Sequence, residues 1–137
     1  MGRILGIDYG SKRIGLALSD PTNTLASSLP TIQNDNNAIS KILEIINKND
    51  VSKIVIGYPL NMNGTKSRVC ELVDEFVEKL SRKTDKEIIK RDERLTSYIA
   101  QQQILESIKS KKKRQDKSLL DQFSARIILQ EYLDECK

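Results

Sequence analysis

The chain has 137 residues, 23 of them Lys or Arg and 19 Asp or Glu, for a formal net charge of +4. At 38% hydrophobic and 31% charged it reads as one globular domain over 1–137, since a chain of roughly 150 residues buries about 68–70% of its unfolded surface. No apolar run approaches the ~18–20 residues of a membrane span and no signal-peptide pattern opens the chain; two distant cysteines, Cys70 and Cys136, argue against a disulfide scaffold or thiolate metal site, so a reducing cytoplasm is expected. Histidine is absent, which removes Ser-His-Asp and Cys-His nucleophiles, His-ligated zinc and histidine acid–base cleavage of RNA.

In chain order, a strand is expected over 3–8, with Ile4, Gly6 and Asp8 on one face and Leu5, Ile7 and Tyr9 on the other. A second follows over 14–18; neither of its faces is strongly polar, so both are expected to be covered. A third, with two serines, falls within 25–32. Asn36 and Asn37 stand as helix caps before Ile39, Ile42, Leu43 and Ile46, which keep helical spacing up to Asn49. A short buried strand over 53–57 stops at Pro59, and a helix over 67–82 places Val69, Leu72, Val73, Phe76 and Leu80 on its inner stripe. A fifth strand is expected over 87–90, then helices over 96–108 and from 118 to the C-terminus. The order implies an α/β fold: a mixed sheet flanked by helices. Between the last two helices Lys109, Lys111, Lys112, Lys113, Arg114 and Lys117 crowd into a run read as a polar loop.

Three acids fall at element ends. Asp8 closes the first strand, ahead of Gly10-Ser11-Lys12-Arg13; Glu93 lies just beyond the fifth; Asp121 sits in the first turn of the last helix, on one face with Ser124, Ala125, Ile128 and Tyr132. Each has a plainer reading: a hairpin turn for Asp8, surface pairing with Arg91 or Arg94 for Glu93, a capping box with Ser118 for Asp121. Read together, carboxylates that converge without histidine suit a hard divalent ion such as Mg²⁺. Ser124 and Ala125 are small enough to let the last helix approach the sheet, and a crossing over the first strand would bring Asp121 near Asp8.

Four blocks carry a resemblance: 6–20 (GIDYGSKRIGLALSD), 55–65 (VIGYPLNMNGT), 92–97 (DERLTS) and 121–133 (DQFSARIILQEYL). In order and over nearly the whole chain they resemble the bacterial YqgF/RuvX family. The resemblance implies a ribonuclease-H-like fold, with a five-stranded mixed sheet of three antiparallel strands then two parallel ones. It also implies a cytoplasmic, Mg²⁺- or Mn²⁺-dependent nuclease, described both as maturing the 5′ end of the small-subunit ribosomal RNA precursor and as resolving Holliday junctions. Carried over by motif, the catalytic and metal-holding acids are Asp8, Glu93 and Asp121. Tyr58 stands where the family has leucine, Asn63 where it has aspartate and Ser124 where it has alanine.

Further candidates belong to substrate binding. Lys12 and Arg13 are placed to grip a phosphate or to solvate a hairpin. Asn61, Asn63 and Thr65 form a polar loop ahead of a helix N-terminus, where phosphate binds readily. Arg94 and the run Lys111, Lys112, Lys113 and Arg114 would attract a nucleic-acid backbone by counterion release. An actin-like ATPase half and a non-catalytic RNA-binding assembly factor are the competing classes; the first needs a second domain this length does not hold, and the second needs no placed acids. Charged residues cover the outer helix faces (Lys41, Lys48, Glu71, Glu75, Glu78, Lys79), leaving no spare apolar stripe, so a monomer acting on precursor RNA is expected ahead of a junction-resolving dimer.

Overall fold

Large β-branched and leucine side chains alternate with very small ones along the central strands, and this alternation decides which helices lie on which face. The computed structural model describes residues 2–61, 63–93 and 117–136, with 117–122 through their backbone only. The elements are β1 (Arg3–Tyr9), β2 (Arg13–Ser19), β3 (Ala26–Gln33), α1 (Ala38–Lys48), β4 (Val51–Tyr58), α2 (Arg68–Ser81), β5 (Glu87–Asp92) and a last helix, α3 (Lys117–Glu135). Every element expected within the described residues is present, mostly with ends one or two residues further out. The helix expected over 96–108 lies outside them.

The sheet order is β3-β2-β1-β4-β5. β1 pairs antiparallel with β2, and β2 with β3; β1 pairs parallel with β4, and β4 with β5. The mixed sheet of three antiparallel and two parallel strands is therefore as expected, and β4 stands between β1 and β5.

One face carries Leu5, Ile7, Ile14, Leu16, Leu18, Ile54 and Ile56, packed under α1 and α2 through Ile42, Ile46, Val73, Phe76 and Leu80. On the other face Ile4, Ala17 and Val55 meet Ala125, Ile128, Leu129 and Leu133 of α3. Gly6 shares that face, and a Cβ there would come within 2.8 Å of the Leu129 Cβ and 3.2 Å of the Ala125 carbonyl oxygen. The small residues let a single helix lie close on the sheet, where larger ones would hold it off. Both faces of β2 are covered, as its sequence implied.

Two local expectations are corrected. Asn37 occupies the N-cap of α1 without a side-chain cap bond; the Asp35 carboxylate accepts from the Asn37 amide instead (2.9 Å). On α2 the inward stripe is Cys70, Val73, Phe76 and Leu80, whereas Val69 and Leu72 are more than a third exposed. The thiol of Cys70 packs as a small hydrophobe, so the stripe is rotated away from Val69.

α3 is fastened at several points. Arg91 grips Glu135 with two parallel bonds of 2.6 Å and reaches Glu131 at 3.5 Å. Gln130 accepts from the Ala26 amide (2.9 Å) and donates to the Thr24 carbonyl (3.0 Å). Lys53 donates to the Tyr132 hydroxyl (3.2 Å). Tyr132 lies against Lys53 early in β4, while Ile128 lies over Gly57 near its end. α3 thus runs antiparallel to β1 and β4, and its first turn falls toward their carboxyl ends.

Candidate active site

The carboxyl end of β1 delivers Asp8, and the chain leaving β5 delivers Glu93, whose amide donates to the Tyr58 carbonyl (3.2 Å). This bond continues the β4–β5 pairing one step beyond Tyr58–Asp92. Asp8 shares the α3 face with Gly6, and Glu93 shares it with Arg91, which reaches α3. Two strand spacings of about 4.8 Å separate β1 from β5, with β4 between them.

Gly57 removes that obstacle. A Cβ at residue 57 would lie 2.6 Å from the Glu93 carboxyl carbon, 2.6 Å from its Oε2 and 2.7 Å from Cδ1 of Ile128. With no side chain there, Glu93 lies across β4 under α3 and hydrogen-bonds the Asp8 carboxyl. Gly57 has no role in the sequence reading. Its signal was available: a glycine at the end of the strand between the two acid-bearing strands, on the Val55 face.

Glu93 is 8% exposed. Burial, then the charge of Asp8 and the hydrogen bond to it, push its carboxyl from 4.5 up to about 9. At neutral pH the pair therefore holds a proton, because two carboxylates in a shared dry site cannot both ionise cheaply. Oε2 of Glu93 is buried and has no hydrogen-bond partner among the described residues. The plainer reading of Glu93, surface pairing with Arg91, does not hold: Arg91 is committed to α3 and Glu93 is buried. An orphaned carboxylate oxygen beside a second carboxylate fits a hard divalent cation. Among the described residues no group of three acids, histidines or cysteines could hold a metal. α3 begins one residue earlier than expected, at Lys117, so its first turn holds no acid and Asp121 follows in the second; its side chain lies outside the described residues.

The other candidates distribute around the same edge. Lys12 is exposed and Arg13 half-buried, in and just after the β1–β2 turn beyond Asp8. The loop after β4 is closed on itself: Asn61 donates to Thr65 Oγ1 (3.0 Å), and Asn63 Oδ1 accepts from the Thr65 amide (3.1 Å) and hydroxyl (2.6 Å). The N-terminus of α2 is capped by Ser67, which accepts from the Cys70 amide (3.4 Å). Arg94, Lys111, Lys112, Lys113 and Arg114 lie outside the described residues.

The family model for RuvX, described as a Holliday junction resolvase, matches residues 2–135. The chain belongs to the RuvX family. A protein of Ruminiclostridium cellulolyticum named "Putative pre-16S rRNA nuclease" is 48% identical, the alignment covering 96% of this chain and 94% of the relative. One of Endomicrobium trichonymphae with the same name is 46% identical over 98% and 96%. This RuvX protein is thus a hydrolytic nuclease by family. Its fold is that of Thermus thermophilus RuvC, solved with a Holliday junction substrate (TM-score 0.58, 10% identity, covering 99% of this chain and 96% of that one). It is also that of the fowlpox virus resolvase solved with junction DNA (TM-score 0.57, 14% identity, 98% of each). Those structures establish the ribonuclease-H-like architecture.

Proposed function

We propose that this RuvX-family nuclease hydrolyses phosphodiester bonds of precursor small-subunit ribosomal RNA near its 5′ end, using Asp8, Glu93 and Asp121 with Mg²⁺ or Mn²⁺. The observation that carries the proposal is the pairing of half-buried Asp8 with buried Glu93, whose Oε2 has no partner among the described residues. A buried glutamate that must keep its proton beside a second acid is a standing cost to the fold unless the site is used.

Asp8 and Glu93 would hold the cation, with Asp121 as the third oxygen donor, brought to the same sheet end by the antiparallel run of α3. When bound, a divalent cation supplies an activated water and neutralises charge on the phosphate being cut. The residues of the chain do the rest. Asp8 and Glu93 give up their shared proton as the site loads. Gly57 keeps the channel between them clear, while Ile128 and the α3 cover exclude bulk water from Glu93. Lys12 and Arg13 hold the phosphate backbone at the open edge, and Asn61, Asn63 and Thr65 offer a rigid polar rim beside it. Arg94 and the run Lys111 to Arg114 attract the wider nucleic-acid chain. One domain over 1–137 suffices for this chemistry, and free thiols at Cys70 and Cys136 suit work in the cytoplasm.

Precursor RNA is favoured because the relatives cited above carry that name and because a monomer fits the surface. The large hydrophobic side chains exposed among the described residues are Leu25, Val69 and Leu72. Leu25 precedes β3, whereas the other two are on α2, and together they fall short of the ~800 Å² per partner of a standard interface. Junction resolution is the second reading, favoured by the description of the family itself. Parallel incubation of a labelled precursor RNA fragment and a four-way DNA junction with Mg²⁺ separates them. Single cuts confined to the RNA support the first reading; paired symmetric nicks in the junction overturn it.

A further inference from the structure

On the face of the sheet opposite Glu93, a cavity of about 190 Å³ opens between Tyr9, the turn before α1 and the outer side of α2. It is smaller than the ~300 Å³ at which drug-sized pockets begin. Its apolar side is a flat wall: the Tyr9 ring is braced against Phe76 at 5.1 Å and 51°, beside Leu72, which is 38% exposed. The rim is polar, from Asn36, Glu75 and Lys79. None of these three side chains has a hydrogen bond or ion pair among the described residues. Glu75 and Lys79 stand one helical turn apart, near enough to pair, yet each remains available to a ligand.

We propose that this cavity receives one unpaired guanine base of the substrate strand, a reading that deepens the nuclease assignment and rests on it. A planar ring has a braced aromatic and a leucine to lie against, the usual platform for an unstacked base. Guanine carries amino and ring N–H donors beside a carbonyl oxygen. The Glu75 carboxylate accepts from the donors, and the Lys79 ammonium donates to the carbonyl. Adenine lacks the carbonyl and cytosine the ring N–H, and uracil offers the carboxylate one donor where guanine offers two, so guanine makes one more hydrogen bond than any other base. Asp35 also lines the cavity and gives it a net acidic rim, which disfavours a phosphate. Tyr9 follows Asp8 at the carboxyl end of β1 with its ring on the opposite face, so the base belongs to a part of the strand that has rounded this end of the sheet, beyond the nucleotides at the bond being cut. Asn34 ties this wall to the β1–β2 turn, through its amide to the Lys12 carbonyl (2.9 Å) and its side chain to the Gly10 carbonyl (2.7 Å). Base recognition and the Lys12 turn are thereby held as one body.

The test uses the full chain and short labelled uridine oligonucleotides carrying a single guanosine, adenosine, cytidine or no replacement, read by fluorescence anisotropy in EDTA and by cleavage in Mg²⁺. Wild-type protein binds the guanosine oligonucleotide roughly tenfold more tightly than the others, in line with one good polar base contact. Glu75→Gln, at an exposed position, loses that preference while keeping its affinity for the all-uridine strand. Leu72→Ser weakens binding of the guanosine strand. Equal affinity of wild type for all four strands, or a preference that survives in Glu75→Gln, overturns the cavity assignment. Mg²⁺-dependent cleavage without base preference does the same and leaves the nuclease reading standing. Guanosine preference without cleavage supports the cavity and counts against the nuclease reading.

Discussion

The Glu93 carboxyl occupies the space that a side chain at residue 57 would fill, 2.6 Å from the Cβ position of Gly57. This one absence lets an acid from β5 meet Asp8 on β1 across an intervening strand. Gly57→Ala is therefore expected to displace Glu93, whose carboxyl carbon and Oε2 both lie 2.6 Å from the new Cβ. A misplacement on the order of 1 Å costs about 10²-fold in rate. Cleavage assays should show that loss with the far-ultraviolet circular dichroism spectrum unchanged. Wild-type activity in Gly57→Ala would mean that Glu93 does not act from this position.

Glu93 also sets a pH dependence of stability. Its carboxyl ionises near 4.5 when free and near 9 in the fold, so between those values the folded state binds more protons than the unfolded one. Stability then falls as pH rises through this window, by at most about 1.4 kcal/mol per pH unit from this group. Glu93→Gln removes the slope and is the more stable protein at pH 8 without metal. Urea unfolding from pH 5 to 9 reads both effects, and Mg²⁺ or Mn²⁺ should flatten the wild-type slope.

Close seating of α3 depends on Gly6. Gly6→Ala drives a Cβ against the Leu129 Cβ and the Ala125 backbone, neither of which is the free end of a flexible chain. Overpacking of this kind costs about 1–3 kcal/mol. Because α3 also carries Asp121, activity should fall together with the melting temperature. Unchanged stability would show that α3 rides higher on the sheet than the contacts imply.

Most of the architecture was legible in the sequence, because alternation fixed the faces of β1 and β2 and spacing fixed α1 and α2. The acids at element ends were legible for the same reason: Asp8 shares the parity of Ile4 and Gly6, so it had to emerge on their side. The roll of α2 was misread at Val69 and Leu72 because hydrophobicity alone does not distinguish a core leucine from one rimming a cavity, and Cys70 was not counted as core. Asn61, Asn63 and Thr65 were legible as a polar loop but not as one whose members bond one another, a set of contacts spacing cannot show. Above all, Gly57 was read as part of a buried strand, when what matters is the side chain two strands away that fills its place.

The basic run is tested by salt. Neutralising Lys111, Lys112, Lys113 and Arg114 together should weaken substrate binding and flatten its salt dependence, each lost phosphate contact removing about 0.7 from the slope for a single strand or about 0.9 for duplex DNA. A salt titration by anisotropy measures it; an unchanged slope would mark the run as a solvated loop with no part in binding.

The central claim is that Asp8 and Glu93 form a metal-loaded pair that cuts phosphodiester bonds, and the most direct measurement is cleavage of a labelled precursor RNA by wild type and by Asp8→Asn, each with Mn²⁺ and with EDTA. Wild type with Mn²⁺ should cut. EDTA should abolish the activity, and Asp8→Asn should be inactive in both conditions while unfolding as cooperatively as wild type. Full cleavage by Asp8→Asn, or by wild type in EDTA, would contradict the account.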